Sequence, residues 1–237
     1  MGELGSGLLG REHPTLIRVP LCPTPNAKMP KYKLVMFDSD GTLADTLPWM
    51  ESALQKLMAQ HGIPPFSVQD ALALRKLSTA AMLRRMQIPM WKVPGMVAGM
   101  RRVMAENIHR FVLFDGIAEV LKGLAAGGIT LGIVSSNSRA NVEHILGPGT
   151  AALVRHYACG ASVFGKAGKL RAVLKAAKVA PRDAIYIGDE VRDAEAAHKA
   201  GVAFGGVGWG VHSLDVLRDH SPAELFSQPS ELSQLMS

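Results

Sequence analysis

The sequence predicts an α/β fold in which a parallel sheet carries an all-helical insertion after its first strand. Three short apolar runs indicate buried strands, at 33–37, 129–134 and 184–188, and a polar side chain follows each of them. Helical patterns lie between the runs, and strands that alternate with helices are typical of βαβ units and a parallel sheet. The stretch 47–112 breaks this alternation because it offers helical patterns only.

The chain before the first strand differs in composition from the rest. Residues 1–30 are rich in glycine and proline and have neither a helical nor a strand period, which indicates a loose extension. The predicted core comprises 31–46 and 113–237. Its helical patterns lie at 117–126, 138–146, 169–178 and 191–200, and Gly201 closes the last as a left-handed C-cap.

The predicted insertion, 47–112, is basic as well as helical. Ser67 and Asp70 have the spacing of a capping box, and 91–111 predicts a helix of about five turns. The insertion contains nine basic and three acidic residues, so its net charge of +6 equals that of the whole chain. We therefore expect this part of the molecule to attract anions.

The composition excludes several classes of protein. At 48% hydrophobic and 19% charged residues, the chain is far from the make-up of disordered proteins. Cys22 and Cys159 are the only cysteines, and neither has a partner at metal-ligand spacing, so no disulfide framework or zinc site is indicated. No apolar run reaches the roughly 18 residues of a membrane span. We expect reduced thiols and a cytoplasmic location.

The polar residues that follow the predicted strands are the candidates for chemistry. Asp38 and Asp40 follow the first run, Ser135 the second and Asp189 the third. In open parallel sheets, ligands bind beyond the carboxyl ends of the strands. We therefore expect side chains about 150 residues apart in sequence to meet at one edge of the sheet.

The pair Asp38 and Asp40 suggests two carboxylates with different tasks. One carboxylate can attack phosphorus and form an acyl phosphate, while the second gives a proton to the leaving oxygen and later takes one from water. Gly41 permits the tight turn that this arrangement needs. An isolated Asp-x-Asp-Gly sequence is usually a solvated turn, so the interpretation depends on the other motifs.

Four motifs together resemble those of the haloacid dehalogenase-like hydrolases, in particular the branch similar to phosphoglycolate phosphatases. The first motif is 38–43, the second is the strand end 133–137, the third is 164–166 with its lysine, and the fourth is the acidic loop 188–193. The resemblance extends from about residue 33 to beyond residue 210. It implies a Rossmann-like parallel sheet core with a small helical cap at 47–112.

The resemblance also implies roles for individual residues. The catalytic residues would be Asp38, Asp40 and Lys166, and the phosphate-binding residues would be Ser135, Ser136, Gly41 and Thr42. The implied cofactor is Mg²⁺, held by the Asp38 carboxylate, the Asp40 backbone carbonyl and Asp189, with Asp193 and Glu190 in support; hard oxygen ligands suit this ion.

Three departures from the family pattern leave alternatives open. Ala167 follows Lys166 where a proline is common in this branch, and Lys169, one helical turn away, is a rival for the lysine. Ser39 is smaller than the bulky residue often found between the two aspartates. Glu190 either reaches the metal through water or caps the helix that follows it.

The leading hypothesis is hydrolysis of a small phosphomonoester, of the phosphoglycolate or sugar phosphate type, through an aspartyl phosphate. The alternative within the same superfamily is a phosphosugar mutase; dehalogenation is less favoured because that chemistry does not need Asp40. A third hypothesis is that the basic insertion binds nucleic acid or an acidic protein, but Trp49 and Trp91 are its only tryptophan or tyrosine residues. We expect a small phosphorylated metabolite as the partner, and we expect no interaction with a membrane.

Overall fold

The computed structural model describes residues 30–236 except 65–66, 68–69, 71–72, 75–76, 78 and 161–164. The predicted extension, apart from residue 30, lies outside the described residues. Six strands form one parallel sheet in the order β3-β2-β1-β4-β5-β6. They are β1 Leu34–Phe37, β2 Thr130–Val134, β3 Val154–Ala158, β4 Ala184–Gly188, β5 Ala203–Val207 and β6 Glu224–Phe226. The predicted α/β class with a parallel sheet is confirmed.

Helices connect these strands. They are α1 Leu47–Gln60, α2 Thr79–Arg85, α3 Val93–Glu106, α4 Ile117–Ala126, α5 Arg139–Ala151, α6 Gly165–Ala177, α7 Val191–Ala200 and α8 Leu214–Arg218. 3₁₀ helices of three residues lie at Met90–Lys92, Ile108–Arg110 and Pro181–Asp183, and one of eight residues lies at Pro229–Met236.

Three of the predicted helices have different limits in the structure. The helix predicted at 169–178 begins four residues earlier, at Gly165. The prediction missed this first turn because its residues form no apolar face. The helix predicted at 138–146 is followed, after a break at Gly147, by a further turn to Ala151. The long helix predicted at 91–111 ends at Glu106, where the next side chain, that of Asn107, donates a 2.8 Å hydrogen bond to the carbonyl of Val103.

Both faces of the sheet are covered, which explains why its central strands are continuous apolar runs. Side chains of β1 alternate between two hydrophobic clusters: Val35 and Phe37 pack with α4 and α5, while Leu34 and Met36 pack with α6 and α7. Every residue of β1 and β4 is buried. The buried sheet therefore fixes the positions of the residues that follow its strands.

Every described element between residues 47 and 112 is helical, and we call 47–112 the helical segment. The segment has a hydrophobic cluster of its own, built around Leu57, Met58, Ile63, Ile88 and Met96. The predicted capping box is present, because Ser67 and Asp70 exchange hydrogen bonds of 2.8–3.1 Å. The two connections to the core run side by side, with Asp45 N–H bonded to the Val112 carbonyl at 2.9 Å.

Within the described parts of the chain, none of the helices combines the length and apolar character that crossing a bilayer requires.

Candidate active site

Asp38 lies at the carboxyl end of β1 and is buried, with 3% of its surface exposed. Its backbone N–H continues the pairing with β4 through a 2.9 Å bond to the Ile187 carbonyl. One carboxylate oxygen, Oδ1, accepts the N–H of Ser39 at 2.8 Å, and the other, Oδ2, forms an ion pair with the Lys166 ammonium. The sheet and two further contacts therefore hold this carboxylate in one orientation.

The chain turns sharply after Asp38, and Gly41 is essential to that turn. The N–H groups of Leu43 and Ala44 both bond to the Ser39 carbonyl at 2.9 Å. Gly41 has a φ of 75°, and a Cβ atom at this position would overlap the carboxylate of Asp189. The glycine therefore provides both the left-handed conformation and the space for the acidic residue opposite it.

Asp40 is oriented by an amide that the motif analysis did not assign to the site. The Nδ2 atom of Asn137 lies 3.3 Å from both carboxylate oxygens of Asp40. The Asn137 Oδ1 atom in turn accepts bonds of 2.9 Å from the Ser138 N–H and the Asn141 amide. Burial and the neighbouring Asp38 carboxylate raise the pKa of Asp40 to about 7, so this carboxyl can exchange a proton near neutral pH.

Three buried carboxylates form one cluster at the strand ends. Asp38, Asp189 and Asp193 each offer an oxygen, and these oxygens lie within 4.8 Å of one another. Burial raises the pKa of both Asp38 and Asp189, as expected for acids that are removed from water. Among the described residues, Lys166 is the ammonium that contacts this cluster, so three carboxyl groups share one ammonium. Because the donor set is buried and consists of oxygen atoms, it fits a hard divalent cation such as Mg²⁺, whose charge would favour the ionised carboxylates.

Asp189 is held by loops from two other parts of the chain. Its Oδ1 atom accepts the hydroxyl of Thr42 at 2.8 Å, and its Oδ2 atom accepts the N–H of Val211 at 2.8 Å. Thr42 is fully buried, and its carbonyl accepts the indole N–H of Trp209 at 3.0 Å. Thr42 therefore orients Asp189 in this structure, and the phosphate contact expected of it stays a prediction.

The two candidate lysines have separate partners. Lys166 forms ion pairs with Asp38 and Asp193. Although burial lowers the pKa of Lys166, these carboxylates raise it overall, so the ammonium stays charged. Lys169 instead donates to backbone carbonyl oxygens, those of Ser135 at 2.6 Å and of Gly160. The geometry thus places Lys166, and not its rival, against the proposed nucleophile.

Ser135 and Ser136 follow β2, as predicted. The Ser135 side chain is fully buried, and its hydroxyl oxygen accepts the N–H of Asn137 at 3.1 Å, whereas Ser136 is exposed. Neither Ser135 nor Asn137 caps helix α5; the cap is Ser138, which accepts the N–H of Asn141.

Glu190 is the N-cap of α7, which matches the second of the two roles left open for it. Its N–H donates to the Asp193 carboxylate at 3.1 Å, and its own carboxylate pairs with Arg192. Asp193 is also held by the hydroxyl of Tyr186, at 3.3 Å. These contacts fix Asp193 at the edge of the carboxylate cluster.

The comparison with protein families agrees with this geometry. A model of the family described as haloacid dehalogenase-like hydrolase matches residues 35–207, which include all four motifs. The chain belongs to this family. Phe164, in the third motif of this hydrolase, lies outside the described residues.

Known relatives of this haloacid dehalogenase-like hydrolase include several phosphatases. A phosphoglycolate phosphatase of Synechococcus elongatus is 31% identical over 201 residues, which cover 84% of this chain and 95% of the relative. An N-acetylmuramic acid 6-phosphate phosphatase of Pseudomonas putida is 27% identical over 216 residues, covering 82% and 95% of the two chains. The predicted branch and the predicted enzyme class, a phosphatase, are confirmed.

Solved structures support the fold. A haloacid dehalogenase-like hydrolase of Streptococcus pneumoniae has a TM-score of 0.74 at 19% identity and covers 87% of this chain and 99% of its own. A complex of CbbY from Rhodobacter sphaeroides with phosphate has a TM-score of 0.62 at 20% identity, covering 85% and 96%.

Proposed function

We propose that this chain hydrolyses a small phosphomonoester, of the phosphoglycolate or sugar phosphate type, through an aspartyl phosphate on Asp38. The observation that carries the proposal is the position of the Asp38 carboxylate: buried at a strand end, paired with Lys166, and within 4.8 Å of two further carboxylates. Asp40 follows two residues later, and the raised pKa of its carboxyl, about 7, suits proton transfer near neutral pH. This combination suits a nucleophile and a separate acid–base group.

In the first half-reaction, a carboxylate oxygen of Asp38 attacks phosphorus in line with the leaving oxygen. The P–O bond to the leaving group breaks as the bond to Asp38 forms, and Asp40 gives its proton to the departing oxygen. Lys166 offsets the negative charge that the nucleophile and the phosphoryl group bring together. Asn137 restrains the Asp40 carboxyl through contacts from its side-chain amide to both carboxyl oxygens.

In the second half-reaction, water attacks the same phosphorus. Asp40, now a carboxylate, accepts the proton of that water, and the bond between phosphorus and Asp38 breaks. The products are inorganic phosphate and the original Asp38 carboxylate, so the cycle closes without any further reactant.

We propose that Mg²⁺ is held by Asp38, Asp189 and the Asp40 carbonyl, with Asp193 and Glu190 in support. Bound there, the ion would neutralise charge between the nucleophile and the phosphate. The chain's own contribution is to hold the ligands rigidly: Thr42 and Val211 fix the two oxygens of Asp189. Ser135, Ser136, Gly41 and Thr42 are the proposed phosphate-binding residues.

The proposed substrate class rests on charge and on the relatives. The net charge of +6 in the helical segment favours small anionic substrates. Relatives named for phosphoglycolate and for N-acetylmuramic acid 6-phosphate support a small acidic phosphomonoester. We propose the cytoplasm as the site of action, because the proposed substrate is a small phosphorylated metabolite and Cys159 has no disulfide partner among the described residues.

The test is a panel of phosphomonoesters assayed with Mg²⁺ and with a chelator. The panel contains phosphoglycolate, several sugar phosphates, N-acetylmuramic acid 6-phosphate and a nucleoside monophosphate, and both free phosphate and isomerised substrate are measured. We expect chelator-sensitive release of phosphate from at least one small acidic ester. Isomerisation without phosphate release would instead identify a mutase. Asp38→Asn is the control, and undiminished turnover in that variant would reject the proposed nucleophile.

A further inference from the structure

Lys169 lies one helical turn after Lys166 on α6, but its side chain serves a different part of the site. Its ammonium donates to the Ser135 carbonyl at 2.6 Å and to the Gly160 carbonyl. Ser135 is the first residue after β2, and Gly160 is the second after β3. The ammonium therefore bridges the loops that follow two neighbouring strands.

Backbone hydrogen bonds connect the same two loops. The N–H of Ser135 bonds to the Ala158 carbonyl at 3.3 Å, and the N–H of Gly160 bonds to the Asn137 carbonyl at 2.6 Å. Lys169 adds a charged contact on Ser135 and Gly160, between these two bonds. The loop 135–137 carries two proposed phosphate-binding residues, Ser135 and Ser136, and the partner of Asp40, and Lys169 contacts it on one side.

The contact with Lys169 sets the orientation of the peptide group between Ser135 and Ser136. In a trans peptide the C=O and N–H bonds point in opposite directions, and the described residues contain no cis peptide. Because the Ser135 carbonyl points at Lys169, the N–H of Ser136 in the same peptide group points away from it. Hydrogen bonds from an ammonium to carbonyls are charge-assisted and strong, so they hold a peptide plane firmly.

We propose that Lys169 is a positioning residue for phosphoryl binding, which orients the Ser135–Ser136 peptide so that its N–H and the Ser135 hydroxyl receive the phosphoryl oxygens. The inference rests on the proposed function. Lys169 acts through the loop 135–137 and does not touch the substrate itself. Its positive charge adds to the attraction of the site for an anion.

The first experiment compares Lys169→Met, Lys169→Arg and Lys175→Met. Lys175 is an exposed residue of the same helix and provides the matched control. Binding of inorganic phosphate in the presence of Mg²⁺ is measured by calorimetry, beside kcat and KM. We expect Lys169→Met to weaken phosphate binding by about tenfold, because the loss of its two charge-assisted hydrogen bonds releases the Ser135–Ser136 peptide. Lys169→Arg should recover most of the loss, and Lys175→Met should match the wild type.

A double-mutant cycle then tests whether Lys169 acts through the loop. If it does, combining Lys169→Met with Ser135→Ala will weaken phosphate binding by less than the product of the two single effects. Independent effects that simply multiply would overturn the proposal, as would a Lys169→Met variant with wild-type phosphate affinity. Should Lys169→Met fail to fold, Lys169→Gln takes its place in the cycle, because its shorter, uncharged side chain removes the charge-assisted contacts with Ser135 and Gly160.

The outcomes separate this proposal from the proposed function. A wild-type enzyme that hydrolyses phosphomonoesters while Lys169→Met behaves like Lys175→Met overturns the role of Lys169 alone. A wild-type enzyme that neither binds phosphate nor hydrolyses any ester in the panel overturns both.

Discussion

The strand-end cluster and the helical segment differ most clearly in how their charges are placed. The cluster contains Asp189, which is 0% exposed, and its carboxylates are held by an ammonium, hydroxyls and backbone N–H groups. The helical segment carries a net charge of +6, and its charged side chains Arg84, Arg85 and Arg102 are exposed, as is Trp91 at 77%. The first region is built to fix charged groups in place, whereas the second presents its groups to solvent.

This contrast predicts where the enzyme is sensitive to change. A buried polar group is costly to leave unpaired, so removing one member of the cluster disturbs its neighbours as well. Truncating an exposed side chain changes the free energy of unfolding by little. We therefore expect chemistry to depend on the cluster, and changes in the helical segment to act mainly on substrate choice.

The largest effect in this series is expected at Asp40. Asp40→Asn removes the group that moves the proton in both half-reactions, and it should lower kcat by about 10²- to 10⁴-fold. Asp45→Asn is the matched control, because this half-buried aspartate lies in the connection to the helical segment. Equal losses in the two variants, measured in steady-state assays, would contradict the assignment of Asp40.

Asp189→Asn should abolish the response of the protein to Mg²⁺. A ligand that binds only the folded state raises the unfolding midpoint, so Mg²⁺ should stabilise the wild type against heat. The variant should lose this stabilisation and bind the ion more than about 100-fold more weakly. Calorimetric titration and thermal scans check both effects without substrate. Unchanged stabilisation by Mg²⁺ in Asp189→Asn would remove this residue from the metal site.

Thr42→Val should have a smaller effect of the same kind. The valine keeps the volume but loses the hydroxyl that donates to Asp189 at 2.8 Å. Loss of such an orienting contact should weaken Mg²⁺ binding by about tenfold, the lower end of the range for supporting residues. Thr130→Val, at the start of β2, is the isosteric control and should bind the ion normally. Equal affinity in both variants would mean that the Thr42 contact does not matter.

The smallest effect is expected in the helical segment. Trp91→Ala should change the free energy of unfolding by less than about 0.5 kcal/mol, because the indole is mostly exposed. Its kcat should stay within about twofold of the wild type, a change of less than about 0.5 kcal/mol in the barrier. A large fall in kcat in this variant would contradict the expectation that the chemistry depends on the strand-end cluster and not on the helical segment.

The sequence predicted the central strands because they are buried on both faces. It missed β3 and β6, which are the two edge strands of the sheet. Their sequences, VRHYA and ELF, mix charged with apolar residues and so lack a continuous apolar run. It also missed β5, where Gly205 and Gly206 interrupt the apolar pattern. Strand prediction thus succeeded where burial is complete and failed where one side of a strand is polar or where glycine removes the signal.

The same distinction applies to the site. Asp38, Asp40, Ser135 and Asp189 were predictable because a strand end marks each of their positions. The bonds from Asn137 to Asp40 and from Trp209 to Thr42 join residues 97 and 167 apart. No local pattern encodes such contacts, because they depend on how separate loops meet after the sheet has formed. Ser136 and Asn137 are adjacent in sequence, and only the fold distinguishes the tasks of their side chains.

The most direct measurement is to trap the covalent intermediate on Asp38. Asp40→Asn is mixed with Mg²⁺ and para-nitrophenyl phosphate, whose leaving group needs no protonation, so the first half-reaction proceeds while hydrolysis of the acyl phosphate is slowed. Rapid quenching and borohydride reduction then convert an aspartyl phosphate to homoserine, which peptide mass spectrometry locates. We predict homoserine at position 38, with none at the two other carboxylates of the cluster, Asp189 and Asp193. Release of nitrophenolate with Asp38 left unmodified would contradict the proposed nucleophile.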